Sequence, residues 1–510
     1  MKISECNEYL CGFTFCFWGN NVFYLGEVVF LLFNSFNFLC IFLPITLLLY
    51  YGLPVVSTGG GQLFVLIVAG FVFYACNHLE FLALLIASGL INGCFSYWSQ
   101  TSTTLSRRRF FALTGVVLNL CLLGFFKYGK LIYGTFFSTG DIGDWILALP
   151  LPIGISFYTF QGISLLVDVM RNDHNFFAER KLDFKTHIIH TVFFLSFFPH
   201  SVAGPIVKSY YFLPQIQRKY FHDINFVKVF KILIVGFFLK VVIADNIQNY
   251  TFWIAYPYFL SAGIVQLWIM MIGYSVQIFA DFAGYSLIAI GIAALFGYHL
   301  PDNFNFPYVS TSFREFWRRW HMSLSAWLRE YLYFSLGGNR KGKVRTYVNL
   351  MLVMFLGGFW HGAAWNYLAW GGVHGILLAI ERYFLNTKYG TFFANLEAHN
   401  KVVSFCHWVI VFLLVSWAWL FFKLPVFSQA IAYTQAMFAV GDVYNVGRKD
   451  VIGFCLLYSL PILAYHLIYY FELPQRIKKW KTVEPMLYAV MLLLILGNGG
   501  TSNAFIYFQF

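Results

Sequence analysis

The chain has 510 residues, of which 59% are hydrophobic, 21% aromatic and only 11% charged. A soluble domain carries about 25% charged residues to face water; this composition, with a mean hydropathy of +0.67, excludes soluble, fibrous and disordered classes and requires lipid to cover much of the surface. The excess of 34 Lys and Arg over 22 Asp and Glu, a net charge of +12, fits basic cytoplasmic loops of a membrane protein better than a nucleic-acid surface.

Residues 1–25 precede the long apolar stretches. Cys6, Cys11 and Cys16 are evenly spaced there, but no His or carboxylate pattern accompanies them as a metal site requires. No cleavable signal peptide is expected, since the start is not basic and no small-residue cleavage site follows a short apolar core. A bilayer core about 30 Å thick needs roughly 20 apolar residues per helix. Stretches that qualify are 36–52, 62–77, 80–98, 109–126, 150–170, 188–204, 226–244, 345–360, 364–384, 402–422, 452–471 and 485–498. Residues 260–299 form a run of about twice the needed length, interrupted at Asp281-Phe-Ala-Gly284, which predicts two helices or one broken helix. The pattern predicts an all-α polytopic membrane protein with roughly eleven to fourteen membrane segments, some re-entrant or interfacial. Strand-like alternation and repeats of fixed period are absent.

Basic clusters separate the apolar stretches at Arg107–Arg109, Lys208–Lys219, Arg340–Arg345 and Arg476–Lys481, each a candidate cytoplasmic segment. The segment 311–335 differs from its neighbours. Phe313, Trp317, Trp320, Leu324, Trp327, Leu328 and Tyr331 recur at helical spacing among Arg314, Glu315, Arg318, Arg319, Arg329 and Glu330. That predicts one amphipathic helix, capped by Thr311 or Ser312, at the membrane interface or packed among spanning helices.

Among the 13 histidines, His187 and His190 have an H-x-x-H spacing with no third ligand nearby, so no metal site is expected. His321 lies in Trp-Arg-Arg-Trp-His. His361 lies in Gly357-Gly358-Phe359-Trp360-His361-Gly362, whose glycines let another backbone or a ligand approach closely. An ionisable group at membrane depth is costly and points to function, and a neutral imidazole suits general-base work near pH 7. The competing reading is a buried histidine bonded to a helix carbonyl; it weighs more heavily for His374, 13 residues on.

The runs LPIGISFYTFQGISLLVDVMR (151–171), FFPHSVAGPIVKSYYFLPQI (197–216), GYSVQIFADFAGYSLIAIGIAALFGYHLPDNFNFPY (273–308), FREFWRRWHMSLSAWLREYLYFSLGGNR (313–340) and FLGGFWHGAAWNYLAWGGVHG (355–375) resemble the membrane-bound O-acyltransferase family. The likeness is to its bacterial branch of alginate and peptidoglycan O-acetyltransferase membrane subunits. It covers roughly residues 30–385 and the last six residues, which implies that residues 1–25 are an N-terminal extension, and His200 stands where relatives often have glutamine.

The resemblance implies a helical fold around a central tunnel in a bacterial inner membrane: 26–385 as the family core, 386–504 as C-terminal transmembrane helices and 505–510 as a tail. It implies that His361 is the catalytic histidine, that His321 is a second functional one, and that Arg318 and Arg319 lie near the acyl-donor entry. Asp281, Asn303 and Trp360, within the same motifs, are further substrate-binding candidates. The tail Phe505-Ile-Tyr507-Phe-Gln-Phe510 resembles the F-x-Y-x-x-F ending of this branch, which implies that Tyr507 receives the acyl group and passes it to a partner; composition alone reads the tail as an interfacial anchor. The implied reaction is acetyl transfer from cytoplasmic acetyl-CoA, with no bound cofactor and no nucleic acid, toward an extracytoplasmic polysaccharide. The implied partner is a secreted SGNH-type acetyltransferase. Alternatives are D-alanyl or other acyl transfer to teichoic acid, lipid or protein, a transporter using Asp281 and a broken 260–299 helix, and a scaffold in which the histidines are structural.

Overall fold

The computed structural model describes residues 31–52, 59–136, 149–171, 182–201, 204–439, 447–477 and 479–498. The extension 1–25 and the tail 505–510, with Tyr507, lie outside them. Among the described residues every regular element is helical. Seven of the described helices are long and apolar enough to cross a membrane: Gly59–Asn77, Leu79–Thr101, Leu105–Phe136, Ile264–Leu295, Lys401–Lys423, Lys449–Tyr470 and Trp480–Gly497. Shorter helices, among them Ile155–Arg171, Phe184–Ser196, Lys343–His361 and Trp365–Leu385, pack between them. Ile155–Arg171 is buried nearly all round, so protein and not lipid satisfies its surroundings.

The run 260–299 departs from expectation. Ile264–Leu295 is a single unbroken helix of 32 residues, buried along most of its length. The Asp281–Gly284 interruption does not open it, for two reasons. Asp281 Oδ1 is 2.7 Å from Lys240 Nζ, which also lies 2.7 Å from Asp245 Oδ1, so the charge is met by a neighbouring segment. At Gly284 a Cβ would sit 2.8 Å from the Gly236 carbonyl oxygen and from the Lys240 amide nitrogen. The glycine therefore marks a close helix crossing and not a break.

The segment 311–335 departs as well. It forms Phe313–Arg319, then Met322–Trp327, then a π-helical turn Leu328–Tyr333, with a corner at Trp320-His321. Of the predicted apolar face, Phe313, Trp320, Leu324, Trp327, Leu328 and Tyr331 are buried and Trp317 is half-buried, while Phe316, outside the predicted set, is buried as well. Ser312 is the N-cap, its hydroxyl accepting from Glu315 N at 3.1 Å. Glu381, from the Trp365–Leu385 helix, accepts from Phe313 N and Arg314 N at 2.5 and 3.3 Å. A hydroxyl and a carboxylate thus meet the positive end of this short helix.

Candidate active site

His361 is the last residue of the Lys343–His361 helix and faces the start of Trp365–Leu385 across a sharp turn. Small residues let this hairpin close. A Cβ on Gly358 would lie 2.3 Å from the Tyr367 carbonyl oxygen, and one on Gly371 2.2 Å from that of Met354. What approaches these glycines is the facing backbone. His361 is thereby held among the rings of Trp360, Trp370 and Phe422, with centroids 5.1, 5.2 and 5.5 Å away.

His321 comes to the same place from the corner in the 313–333 segment. Its backbone is left-handed, at φ 43°, a conformation that costs a non-glycine residue about 1–3 kcal/mol and persists only where the surroundings over-determine it. Here Asn303 does so. Its carbonyl oxygen accepts from Met322 N at 2.9 Å, and Arg319 O accepts from Asn305 N at 2.9 Å, pairing 303–305 with 319–322. The Asn303 Oδ1 atom accepts from Ser323 N, from Ser323 Oγ at 2.9 Å and from His321 Nδ1 at 3.0 Å. A backbone N–H can only donate, so the atom facing Ser323 N is the amide oxygen, and His321 carries its proton on Nδ1. The lone pair on Nε2 is then buried without a hydrogen-bond partner among the described residues. The His321 ring packs edge-on to Phe282 at 4.7 Å and lies 6.1 Å from the His361 ring, centroid to centroid.

The rest of the segment is anchored by polar contacts. Asp168 accepts from Tyr331 and Ser209 hydroxyls, each at 2.7 Å, and Ser323 Oγ accepts from Ile206 N at 3.0 Å. Lys208 pairs with Glu330 at 2.6 Å; burial, and then the Glu330 carboxylate, push the nearby Tyr210 hydroxyl up to about 12.

The remaining candidates fall in different places. Trp360 adjoins both histidines, 6.2 Å from His321. Asn303 serves His321 directly. Asp281 is engaged with Lys240, and it is the next residue, Phe282, that reaches His321. Arg319 is tied down by Glu315, the Asn305 carbonyl and the Tyr469 hydroxyl, whereas Arg318 is exposed. His374 is fully buried one ring further out, 4.9 Å from Trp370, with neither nitrogen hydrogen-bonded among the described residues. His187 meets the Ser96 hydroxyl at 2.8 Å, and His200 meets the Phe194 carbonyl at 2.7 Å.

One site residue escaped the sequence reading. Lys127 is buried, with its ammonium group donating to the Trp360 carbonyl, to His361 O at 3.4 Å and to Ser156 Oγ at 3.3 Å. The available signal was a lone lysine in the apolar run 109–126 and its continuation, where an intramembrane cation marks function by default.

A model of the membrane-bound O-acyltransferase family matches residues 178–424. The chain is 38% identical over 426 residues to a protein named probable alginate O-acetylase from Azotobacter vinelandii, covering 81% of this chain and 79% of that one. It is 33% identical over 441 residues to the peptidoglycan O-acetyltransferase of Helicobacter pylori, covering 82% and 81%. It is 31% identical over 250 residues to the teichoic acid D-alanyltransferase of Bacillus subtilis, covering 46% of this chain and 61% of that one.

Proposed function

Since the chain belongs to the membrane-bound O-acyltransferase family and is a multi-pass inner-membrane O-acyltransferase, we propose that it draws acetyl groups from cytoplasmic acetyl-CoA for O-acetylation of an extracytoplasmic polysaccharide. The observation that carries this is the convergence of His361 and His321, 40 residues apart in sequence, into one buried aromatic enclosure with ring centroids 6.1 Å apart. His361 acts as the general base. It takes the proton of an attacking hydroxyl, whose oxygen bonds to the thioester carbonyl carbon; the C–S bond breaks, and the CoA thiolate leaves with the proton returned from the imidazolium. His321, with its Nε2 lone pair available, orients the reacting groups or shares that proton.

Arg318 and the exposed Arg340, Lys341 and Lys343 supply positive charge for the donor phosphates. The last three stand at the opposite end of the helix that finishes in His361, roughly 27 Å away at 1.5 Å per residue. Such a separation suits an extended donor whose charged end and thioester are far apart. Tyr507 is the acceptor that relays the acetyl to a secreted SGNH-type transferase; support for that step is the F-x-Y-x-x-F ending, in which a phenol gives a more reactive ester than a sugar hydroxyl. Acetyl transfer is preferred over D-alanyl transfer because the acetylating relatives match over most of the chain. The transporter alternative loses its motivating feature, since the 264–295 helix is unbroken and Asp281 is ion-paired.

The test is purified protein incubated with labelled acetyl-CoA, followed by thioester turnover and mass spectrometry of the C-terminal peptide. Wild type should acquire one acetyl on Tyr507, and His361→Ala should be folded and inactive. A His361→Ala rate near wild type would overturn the base assignment, and a fully active Tyr507→Phe enzyme would overturn the relay.

A further inference from the structure

The long Leu105–Phe136 helix is interrupted by a π-helical turn, Gly124–Tyr128. Such turns insert an extra residue and recur at functional sites. This one brings two consecutive side chains onto the end of the Lys343–His361 helix. Tyr128 Oη donates to the Phe359 carbonyl at 3.1 Å, and the two rings stack with centroids 4.3 Å apart and planes 12° apart. Lys127 serves the next two carbonyls, those of Trp360 and His361, and its ammonium stands 5.5 Å from the centre of the Trp360 ring. The last carbonyls of a helix have no partner within it and carry its negative end; here three in succession are met by one turn of another helix. The third Lys127 contact, Ser156, comes from Ile155–Arg171 and ties the pair to the core.

A lysine buried at membrane depth is expensive. If helix capping were the whole need, water or a glycine-based cap would meet it more cheaply. We propose that Lys127 and Tyr128 are positioning residues, a clamp on the Phe359–His361 carbonyls that fixes where the His361 ring stands relative to His321 and to the acyl group. The inference rests on the reading of His361 as the base. No group of the clamp touches substrate; it acts by holding the reactive turn of the helix at its end, where the main chain would otherwise fray.

Lys127→Met is the decisive variant. It matches the length of the side chain and removes the charge and every donor; the described partners of Lys127 are two carbonyls and a hydroxyl, so the substitution leaves no counter-charge buried. Because displacement of a catalytic group by about 1 Å costs about 10²-fold in rate, kcat for acetyl transfer should fall by about 10²-fold while KM for acetyl-CoA and the detergent melting temperature stay near wild type. Lys127→Gln, which keeps one donating group for the carbonyls, should recover part of that loss. Tyr128→Phe, which keeps the stack and loses only the Phe359 bond, should lose less than Lys127→Met. A merely structural lysine predicts the opposite split: lowered melting temperature with kcat of the folded fraction unchanged, and that result overturns the clamp. His361→Ala measured alongside separates the two readings. If it is inactive and Lys127→Met is fully active, the clamp alone fails; if it is active, the base assignment fails.

Discussion

Adding one methyl group at Gly358 should damage catalysis by parting the hairpin that carries His361. The Cβ of Gly358→Ala would stand 2.3 Å from the Tyr367 carbonyl oxygen and 2.9 Å from Gly371 Cα, against 3.4 Å or more for ordinary contact. Both obstacles are main chain in the next helix, so neither can rotate away, and the two helices must part by about 1 Å. Overpacking of this kind costs about 1–3 kcal/mol. His361 lies three residues on, at the tip of the same hairpin, so the separation is transmitted to the imidazole, and a shift of that size removes about 10²-fold in rate. The assay is acetyl-CoA turnover in detergent together with tryptophan-fluorescence melting. Gly453→Ala is the control: it is also a mid-helix glycine, but nothing lies within 4 Å of its Cβ, and it should be neutral or stabilising by up to about 1 kcal/mol. A Gly358→Ala protein as stable and as active as Gly453→Ala would refute the close-packing account of the hairpin.

Asn303→Ala leaves His321 Nδ1–H and the Ser323 donors without their acceptor, and the rate should fall by about 10²-fold, the lower end for a lost acid–base partner; Asn303→Asp, which still accepts from Nδ1–H, should retain more, and equal rates for both would refute the tautomer argument. Lys240→Met leaves the Asp245 and Asp281 carboxylates buried without their cation and should destabilise by about 3–5 kcal/mol, with the Lys240→Met/Asp245→Asn/Asp281→Asn triple variant recovering most of it; an unshifted melting temperature for the single variant would discount the ion triad. Arg318→Gln should raise KM for acetyl-CoA and flatten the dependence of rate on salt, since the attraction to phosphate is screened, and unchanged donor affinity would relegate Arg318 to the lipid surface.

The sequence by itself determined the class of molecule, because the scarcity of charge and the length of the apolar runs are constraints that lipid imposes before any packing occurs. It also narrowed the helix cap to Thr311 or Ser312 and marked most of the buried face of 313–331, which depend on neighbours three or four residues away, and it marked His361 and His321 through local motifs. Tertiary structure alone decided the rest. The corner at His321 is invisible to helical periodicity because the left-handed residue is held by Asn303, 18 positions earlier. The 264–295 helix stays whole because Lys240, 41 positions from Asp281, neutralises a carboxylate that composition reads as a break. Lys127 lies 234 positions from His361, and only the folded chain brings its ammonium onto the carbonyls of the histidine's own turn. Each case has the same physical cause: a charge or a strained backbone is judged by the partner that meets it, and in a helical membrane protein that partner comes from another helix.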